Sequence, residues 1–548
     1  MGAQMGNDPD MEQLQDLEYK DYKYSEEELN DPQEYRYSDE ELSGGLQEGE
    51  KIQGCVGQRP VGGQVRRLRV CIVAEGCYPY VVGGVSGWIH SLIRLFPDVE
   101  FRLLTIVANR SMRGKFVYEL PDNLASVHEV YLEDADWVRR RTGTRSTLRL
   151  SRQEYAALRG LLLNQRIDWH RLFVMFRKSG LSLNDLLMGE DFYRAVRDCY
   201  DLQYPQIVFS DFLWTMRSIY LPLFFVLKTE VPRADFYHCA ATGYAGVLGC
   251  MAKDLYGSRI LISEHGIYTR EREEELIKAK WVSGIYKNIW IDQFHKMSKL
   301  AYQEADLVTS LYEHARRLQT ELGCPPEKTA VTPNGIDVSQ LEQLPPKTQD
   351  DKRYVNIGAI LRVTPIKDVK TLIQAFGYAK ERQPWLKLWI MGPADADEAY
   401  AQECRELADA MQLEDIVFTG SIQVRDYLGR MDITILTSIS EGQPLTILES
   451  FAARCPVIAT NVGNCAGLIY GEEGDAFGQA GIVTHIMNME EISQAMLELA
   501  GDREKRKRMG ENGYRRLMSK YRVEHMQASY QKIYKDFASN AGLDPDVL

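Results

Sequence analysis

From about residue 67 onward, short unbroken apolar runs alternate with longer amphipathic stretches. Runs at 70–74, 99–108, 127–132, 236–239, 260–263, 307–310 and 329–332 predict strands, and at 70–74 continuous rather than alternating apolarity predicts burial on both faces. Residues 151–228 read as helical and loop-rich, an insertion into this first series. Near 333–350 the chain turns polar and carries Pro345 and Pro346, which marks a domain boundary. Beyond it, strands at 354–360, 386–391, 416–419, 433–437 and 457–460 alternate with helices at 367–382 and 395–411, a short helix, and one from Leu445. The strand at 457–460 completes the expected set. Such alternation predicts right-handed βαβ units and parallel sheets, hence an α/β protein of two doubly wound, Rossmann-like domains. Residues 503–538 read as helical, with Tyr521, Met526, Tyr530, Ile533, Tyr534 and Phe537 near helical spacing. The expected plan is a tail and linker at 1–66, a first domain at 67–340, a second at 341–520, and a C-terminal helix at 521–548 packing back on the first.

The polar extreme lies at the start. Residues 1–50 carry 16 Asp/Glu against 3 Lys/Arg, which accounts for the whole net charge of −13 across 548 residues and leaves the body formally neutral. Within them Asp21-Tyr-Lys-Tyr-Ser-Glu-Glu-Glu-Leu29 is echoed by Glu34-Tyr-Arg-Tyr-Ser-Asp-Glu-Glu-Leu42, and a Gly-rich linker follows (Gly54, Gly57, Gly62, Gly63). Dense charge with little apolar surface predicts a disordered, solvated tail. A pair of short docking motifs anchored by tyrosines is the alternative. The acidic balance argues against a nucleic-acid binder.

The most apolar long run, 213–227, is interrupted by Arg217 and Pro222 and is too short to span a bilayer. The N-terminus lacks the basic start and apolar core of a signal peptide. Ten cysteines show no C-x-x-C and no regular spacing, so they read as reduced core residues. A cytoplasmic location is expected, with no transmembrane segment.

In open parallel sheets ligands bind beyond the carboxyl ends of strands, so the loops after strands carry the candidate chemistry. After 433–437 comes Ser438-Ile-Ser-Glu441-Gly-Gln-Pro-Leu-Thr-Ile-Leu-Glu449. Pro444 suits a first helical position. The amides around Gly442, Gln443 and Leu445 then suit an anion such as a diphosphate, and flanking glutamates suit sugar hydroxyls. As isolated residues, Glu441 also reads as a solvated loop carboxylate and Glu449 as a helix-dipole residue. After 354–360 comes Leu361-Arg362-Val-Thr-Pro-Ile-Lys367-Asp368. A planar guanidinium and a compact ammonium suit phosphate oxygens. The first strand is followed by Pro79-Tyr-Val-Val-Gly83-Gly84-Val85-Ser86-Gly87, whose spacing is not G-x-G-x-x-G, which weakens a nicotinamide reading.

The segment Glu441 to Ala452 resembles the E-x7-E element of retaining GT-B glycosyltransferases of family 4, with Gly442-Gln443-Pro444 where that family often has Gly-Phe-Gly. The resemblance spans about residues 67–538. It extends to Arg362 and Lys367, to the Gly83-Gly84-Val85 loop, to His238 in Phe236-Tyr-His-Cys, to Ser263-Glu-His265-Gly, and to Pro333-Asn-Gly-Ile-Asp337 as an inter-domain element. It implies the GT-B fold, with two domains facing across a cleft. It also implies that Arg362 and Lys367 hold a donor diphosphate, Glu441 the sugar and Glu449 the ribose, with Gly83, Gly84, Val85, Gly442, Gln443, Pro444 and Leu445 lining the donor. His238 joins them as a catalytic candidate, and His265 and Arg270 as secondary ones.

The N-terminal segments Ala74-Glu-Gly-Cys-Tyr-Pro-Tyr and Ser263-Glu-His-Gly-Ile-Tyr-Thr-Arg-Glu-Arg272 are similar to the Pel exopolysaccharide branch. That implies retaining, metal-independent transfer of a hexosyl group from a nucleotide sugar, expected to be UDP-linked glucose or N-acetylhexosamine, onto a growing polysaccharide, within an inner-membrane synthesis complex. No cofactor is expected. Asp134/Asp136 and Asp395/Asp397 form D-x-D pairs, but neither ends a strand at the crevice. A nucleotide-sugar epimerase on the same fold and a non-catalytic scaffold subunit stay open as alternatives.

Overall fold

The computed structural model describes residues 66–135, 148–178, 180–395 and 397–542. The acidic repeat, the Gly-rich linker, Cys55 and Asp136 lie outside the described residues.

The first half is built on seven parallel strands: β1 (Arg69–Glu75), β2 (Glu100–Val107), β3 (Leu124–Tyr131), β4 (Phe236–Cys239), β5 (Arg259–Glu264), β6 (Leu307–Ser310) and β7 (Thr329–Val331), ordered β3-β2-β1-β4-β5-β6-β7. The continuous apolar run at Val70–Ala74 is fully buried because helices cover both faces of the sheet. The winding reverses at β1, which pairs with β2 on one side and β4 on the other, setting Ile72 beside His238. Five helices between Arg152 and Leu227 form the insertion and share a core with this half. The first is fixed by a capping box in which Ser151 accepts from the Glu154 amide and the Glu154 carboxylate accepts from the Ser151 amide. Among the described residues no helix is long and apolar enough to cross a membrane.

The second half has six parallel strands: β8 (Val355–Ile360), β9 (Leu386–Met391), β10 (Ile416–Gly420), β11 (Ile433–Leu436), β12 (Val457–Thr460) and β13 (Gly481–Thr484), ordered β10-β9-β8-β11-β12-β13. The chain is thus an α/β protein of two doubly wound, Rossmann-like halves, as the sequence pattern predicts. Strand β12 does not complete the set, however. β13 extends the sheet in register with it, and its signal is only Ile482-Val483 after a glycine-rich, polar loop.

The expected helix over 503–538 is two helices, Arg503–Lys520 and Val523–Asn540. The break is where the chain leaves the second half. The Ile336 amide donates to the Tyr521 carbonyl at 3.0 Å, and the Val523 amide to the Ile336 carbonyl at 2.9 Å, so the outgoing and returning crossings lie side by side. Gly335 is required there, since a β-carbon would come within 2.3 Å of the Arg522 carbonyl oxygen. The Val523–Asn540 helix then buries Met526, Tyr530, Tyr534 and Phe537 among Val70, Ile72, Trp88 and Phe236 of the first half.

Candidate functional site

The loops that leave β8 and β11 are bound to each other. The Ile439 amide donates to the Ile366 carbonyl at 2.8 Å, and the Thr437 hydroxyl to the Lys367 carbonyl at 3.0 Å. Asp368 takes a left-handed conformation (φ 48°) that turns the chain into the Val369–Arg382 helix. The two loops thereby bring together residues 74 apart in sequence: Lys367 is ion-paired with Glu441, whose same oxygen accepts from the Ser438 hydroxyl at 2.6 Å. Both side chains keep some solvent access, 22% and 12%. Arg362, between buried Leu361 and Val363, is exposed on the same β8 loop.

Glu449 is on the Leu445–Ala452 helix, one turn in, and burial pushes its carboxyl pKa up. Pro444 does not occupy the first helical position. It is the capping residue, with extended backbone (φ −71°, ψ 117°), and Leu445 starts the helix. Gln443 departs further from expectation. Its side chain is 6% exposed and clamps the inter-domain linker, accepting from the Asn334 amide at 2.9 Å and donating to the Asn334 carbonyl at 3.3 Å. The side-chain amide is therefore not open to a donor.

From the first half, the Gly84–Leu95 helix begins after Gly83, and a β-carbon at Gly83, Gly84 or Gly87 would meet nothing within 4 Å among the described residues. These glycines leave space before the helix start, with half-buried Val85 beside them. Trp88, one turn on, packs against the His265 ring at a centroid distance of 4.3 Å. The His265 carbonyl in turn faces Gly442, where a β-carbon would approach to 2.6 Å. Burial drives the His265 pKa down to about 3, so its ring is neutral, and Nε2 is buried without a hydrogen-bond partner among the described residues. Arg270 is exposed on the Tyr268–Lys278 helix.

His238 has no ring nitrogen free for a substrate. It is 1% exposed, and its two ring nitrogens are engaged by the Tyr534 hydroxyl at 2.9 Å and the Ser263 hydroxyl at 2.8 Å. Burial lowers its pKa to about 3. It ties the returning C-terminal helix to β4 and β5. Asp134 pairs with Arg110, and Asp397 caps the Glu398–Ala410 helix, so both have structural partners. Among the described residues no cluster of three His, Cys, Asp or Glu is placed to hold a metal.

Two features escaped the sequence reading. One is the Gln443 clamp. The other is Glu75, the last residue of β1, which accepts from the Tyr268 hydroxyl at 2.9 Å.

Residues 68–327 match the family described as Domain of unknown function (DUF3492), and residues 341–516 match Glycosyl transferases group 1. The MMP alpha-(1->4)-mannosyltransferase of Mycolicibacterium hassiacum is 23% identical over 288 residues, 51% of this chain and 66% of that protein. The putative colanic acid biosynthesis glycosyltransferase WcaL of Escherichia coli K12 is 27% identical over 241 residues, 42% of this chain and 53% of that one. The chain thus spans between about half and two thirds of these relatives' lengths. The structure of Anabaena Alr3699/HepE in complex with UDP and glucose superposes with a TM-score of 0.53 at 14% identity, covering 86% of this chain and all of that one. The fold is GT-B.

Proposed function

We propose that this GT-B chain is a glycosyltransferase that moves a hexosyl or N-acetylhexosaminyl group from a UDP-linked donor onto a growing polysaccharide of the Pel type, with retention and without a metal. The observation that carries the reading is the meeting of Lys367 and Glu441 beyond the carboxyl ends of β8 and β11, with Arg362 exposed on the same loop. The second-half match to Glycosyl transferases group 1 and the curated relatives support it.

In this reading Arg362 and Lys367 meet the diphosphate and offset the charge that grows as it leaves. Lys367 exchanges part of its pairing with Glu441 for phosphate oxygens, freeing Glu441 to accept from sugar hydroxyls. Glu449 takes the ribose, and the amides of Gly442, Gln443 and Leu445 with the space before Gly84 seat the rest of the donor. The neutral His265 ring, backed by Trp88, lines the acceptor side. Partners in an inner-membrane polysaccharide complex supply the membrane contact.

Titrating the full chain with UDP-, ADP- and GDP-sugars by calorimetry, then following nucleotide release in the wild type and Arg362→Ala, tests this. Binding of a UDP-sugar and loss of turnover in the variant are expected. Wild-type turnover in Arg362→Ala overturns the assignment.

A further inference from the structure

Among the described residues two cationic side chains are buried, Arg516 in the second half and Lys296 in the first. Burying a charge is costly unless an opposite charge meets it. Arg516 meets that condition, forking onto the Asp475 carboxylate at 2.7 and 3.0 Å. Lys296 does not. Its ammonium donates to the Leu161 carbonyl and to the Tyr220 hydroxyl, both at 3.1 Å, and no carboxylate stands within ion-pair distance among the described residues. The Leu161 carbonyl belongs to the last turn of the Arg152–Leu162 helix, an end that suits a cation. Capping alone does not explain the missing carboxylate. Lys253 also holds a helix-end carbonyl, that of Glu304 at 2.6 Å, and keeps Asp306 at 3.2 Å as well.

In place of a carboxylate, Lys296 has a cavity of about 250 Å³ beside it, between the insertion and the Ile285–Glu304 helix. At about 30 Å³ per water, this has room for several waters or one molecule of monosaccharide size. Leu162 and Ile289 supply apolar wall. Asn164, in the left-handed turn (φ 53°) after the capped helix, and Tyr204 supply polar wall. Neither the Asn164 side-chain amide nor the Tyr204 hydroxyl has a protein hydrogen-bond partner among the described residues. Asp292 lines the cavity from one turn before Lys296 and is exposed. None of the residues assigned to the donor borders this cavity.

We propose that this cavity binds a small hydroxylated carboxylate, whose carboxylate group meets the Lys296 ammonium and whose hydroxyls meet Asn164, Tyr204 and Asp292. The site stands on its own residues and not on the transfer reading above. One ammonium balances one negative charge, and the Asp292 carboxylate opposes a second, which disfavours a phosphate dianion. Burial lowers the Lys296 pKa to about 8, while Cys199 and Asp292 moderate the fall. The titratable groups around the ammonium are Cys199 and Tyr204 from one insertion helix and the turn after it, Tyr220 from the next, and Asp292 from its own helix. Arg159, on the capped helix, acts on Cys199. An anion seated on the ammonium raises its pKa, so binding takes up a proton wherever the free protein has lost it.

The test titrates the full-length wild type, Lys296→Met and Tyr204→Phe by calorimetry with glucuronate, gluconate, glucose and inorganic phosphate, each with and without UDP. A carboxylate is expected to bind the wild type, undisturbed by UDP, while glucose and phosphate stay silent. Lys296→Met is expected to weaken that binding ~10- to 150-fold and Tyr204→Phe ~3- to 10-fold, the ranges for losing a charged and a neutral hydrogen bond. Repeating the wild-type titration in buffers of different ionisation enthalpy should show proton uptake at pH 8.5 and almost none at pH 6.5. Silence of both carboxylates, tighter binding of phosphate, displacement by UDP, or unchanged affinity in a folded Lys296→Met overturns the proposal. If Lys296→Met does not fold, absence of proton uptake by the wild type at pH 8.5 overturns it instead.

Discussion

The carbonyl oxygen of His265 rests against the α-carbon of Gly442, joining the loop after β5 in one half to the loop after β11 in the other. A β-carbon at 442 would stand 2.6 Å from that oxygen, and on its far side Gly442 is held by the Asn464 amide at 2.8 Å. Neither backbone can yield locally. Gly442→Ala is expected to wedge the halves apart, costing ~1–3 kcal/mol of closed-state stability, the usual range for overpacking. Donor affinity by calorimetry should fall by about 5- to 150-fold, and the radius of gyration in solution should grow.

Lys367→Ala leaves Glu441 without its cation and the diphosphate without one of two. Turnover is expected to fall ~10²–10³-fold, as when a preorganised charge stabiliser is removed. If Arg362 and Lys367 supply the charge compensation proposed for them, nucleotide release in excess chelator should match that in Mg²⁺. A chelator-dependent loss restored by the metal would refute the metal-free part of the proposal.

Burial holds His238 and His265 neutral, with pKa values lowered to about 3 from near 6.5. Below pH 6.5 the unfolded chain takes up these protons and the folded chain does not. Their contribution to stability is therefore fully present above 6.5 and is lost progressively as pH falls toward 3. Urea midpoints measured between pH 7.5 and 4.5 should decline. His238→Gln should make the decline shallower, at the cost of a lower midpoint at pH 7.5.

In the second half, Arg516 is fully buried and forks onto Asp475 at 2.7 and 3.0 Å while donating to the Leu468, Ile469 and Gly478 carbonyls. Burial is the largest single influence on the Asp475 carboxyl and raises its pKa, but the Arg516 hydrogen bonds and charge, with the Phe477 amide and Lys520, together outweigh it and hold the carboxyl below its ordinary range. Asp475→Ala strands the guanidinium and is expected to cost ~3–5 kcal/mol, read as a drop in Tm. The wild-type pair should hold at neutral pH and fail only as pH falls through the depressed carboxyl range.

The halves and most strands were legible because a strand buried on both faces needs an unbroken apolar run, as at Val70–Ala74. β13 was not, because four residues with two large apolar side chains carry too little pattern. Nor was the break at Tyr521, since helical spacing continues across it while the chain changes partner. At the site, Lys367 and Glu441 were legible as loop residues after strands. Their meeting depends on β8 and β11 being neighbours, which follows from sheet order rather than local pattern. Gln443 and His238 misled for one reason: a polar side chain beside a crevice looks free until its partners are known. Those partners, Asn334 and Tyr534, lie 109 and 296 residues away. Glu75 drew no attention in the sequence because Tyr268, 193 residues on, gives no sign of reaching back.

The returning helix has a consequence for biosynthesis. Strands β1 to β7 emerge from the ribosome first, yet the face that carries Val70, Ile72 and Phe236 is covered only in part, by the Gly84–Leu95 helix, until residues 523–540 are translated. The second half, closed by the Arg503–Lys520 helix, has all its parts earlier. The half that is made first is thus completed last, and a nascent chain stalled short of Tyr530 presents a finished sheet with part of one face still bare to the folding machinery.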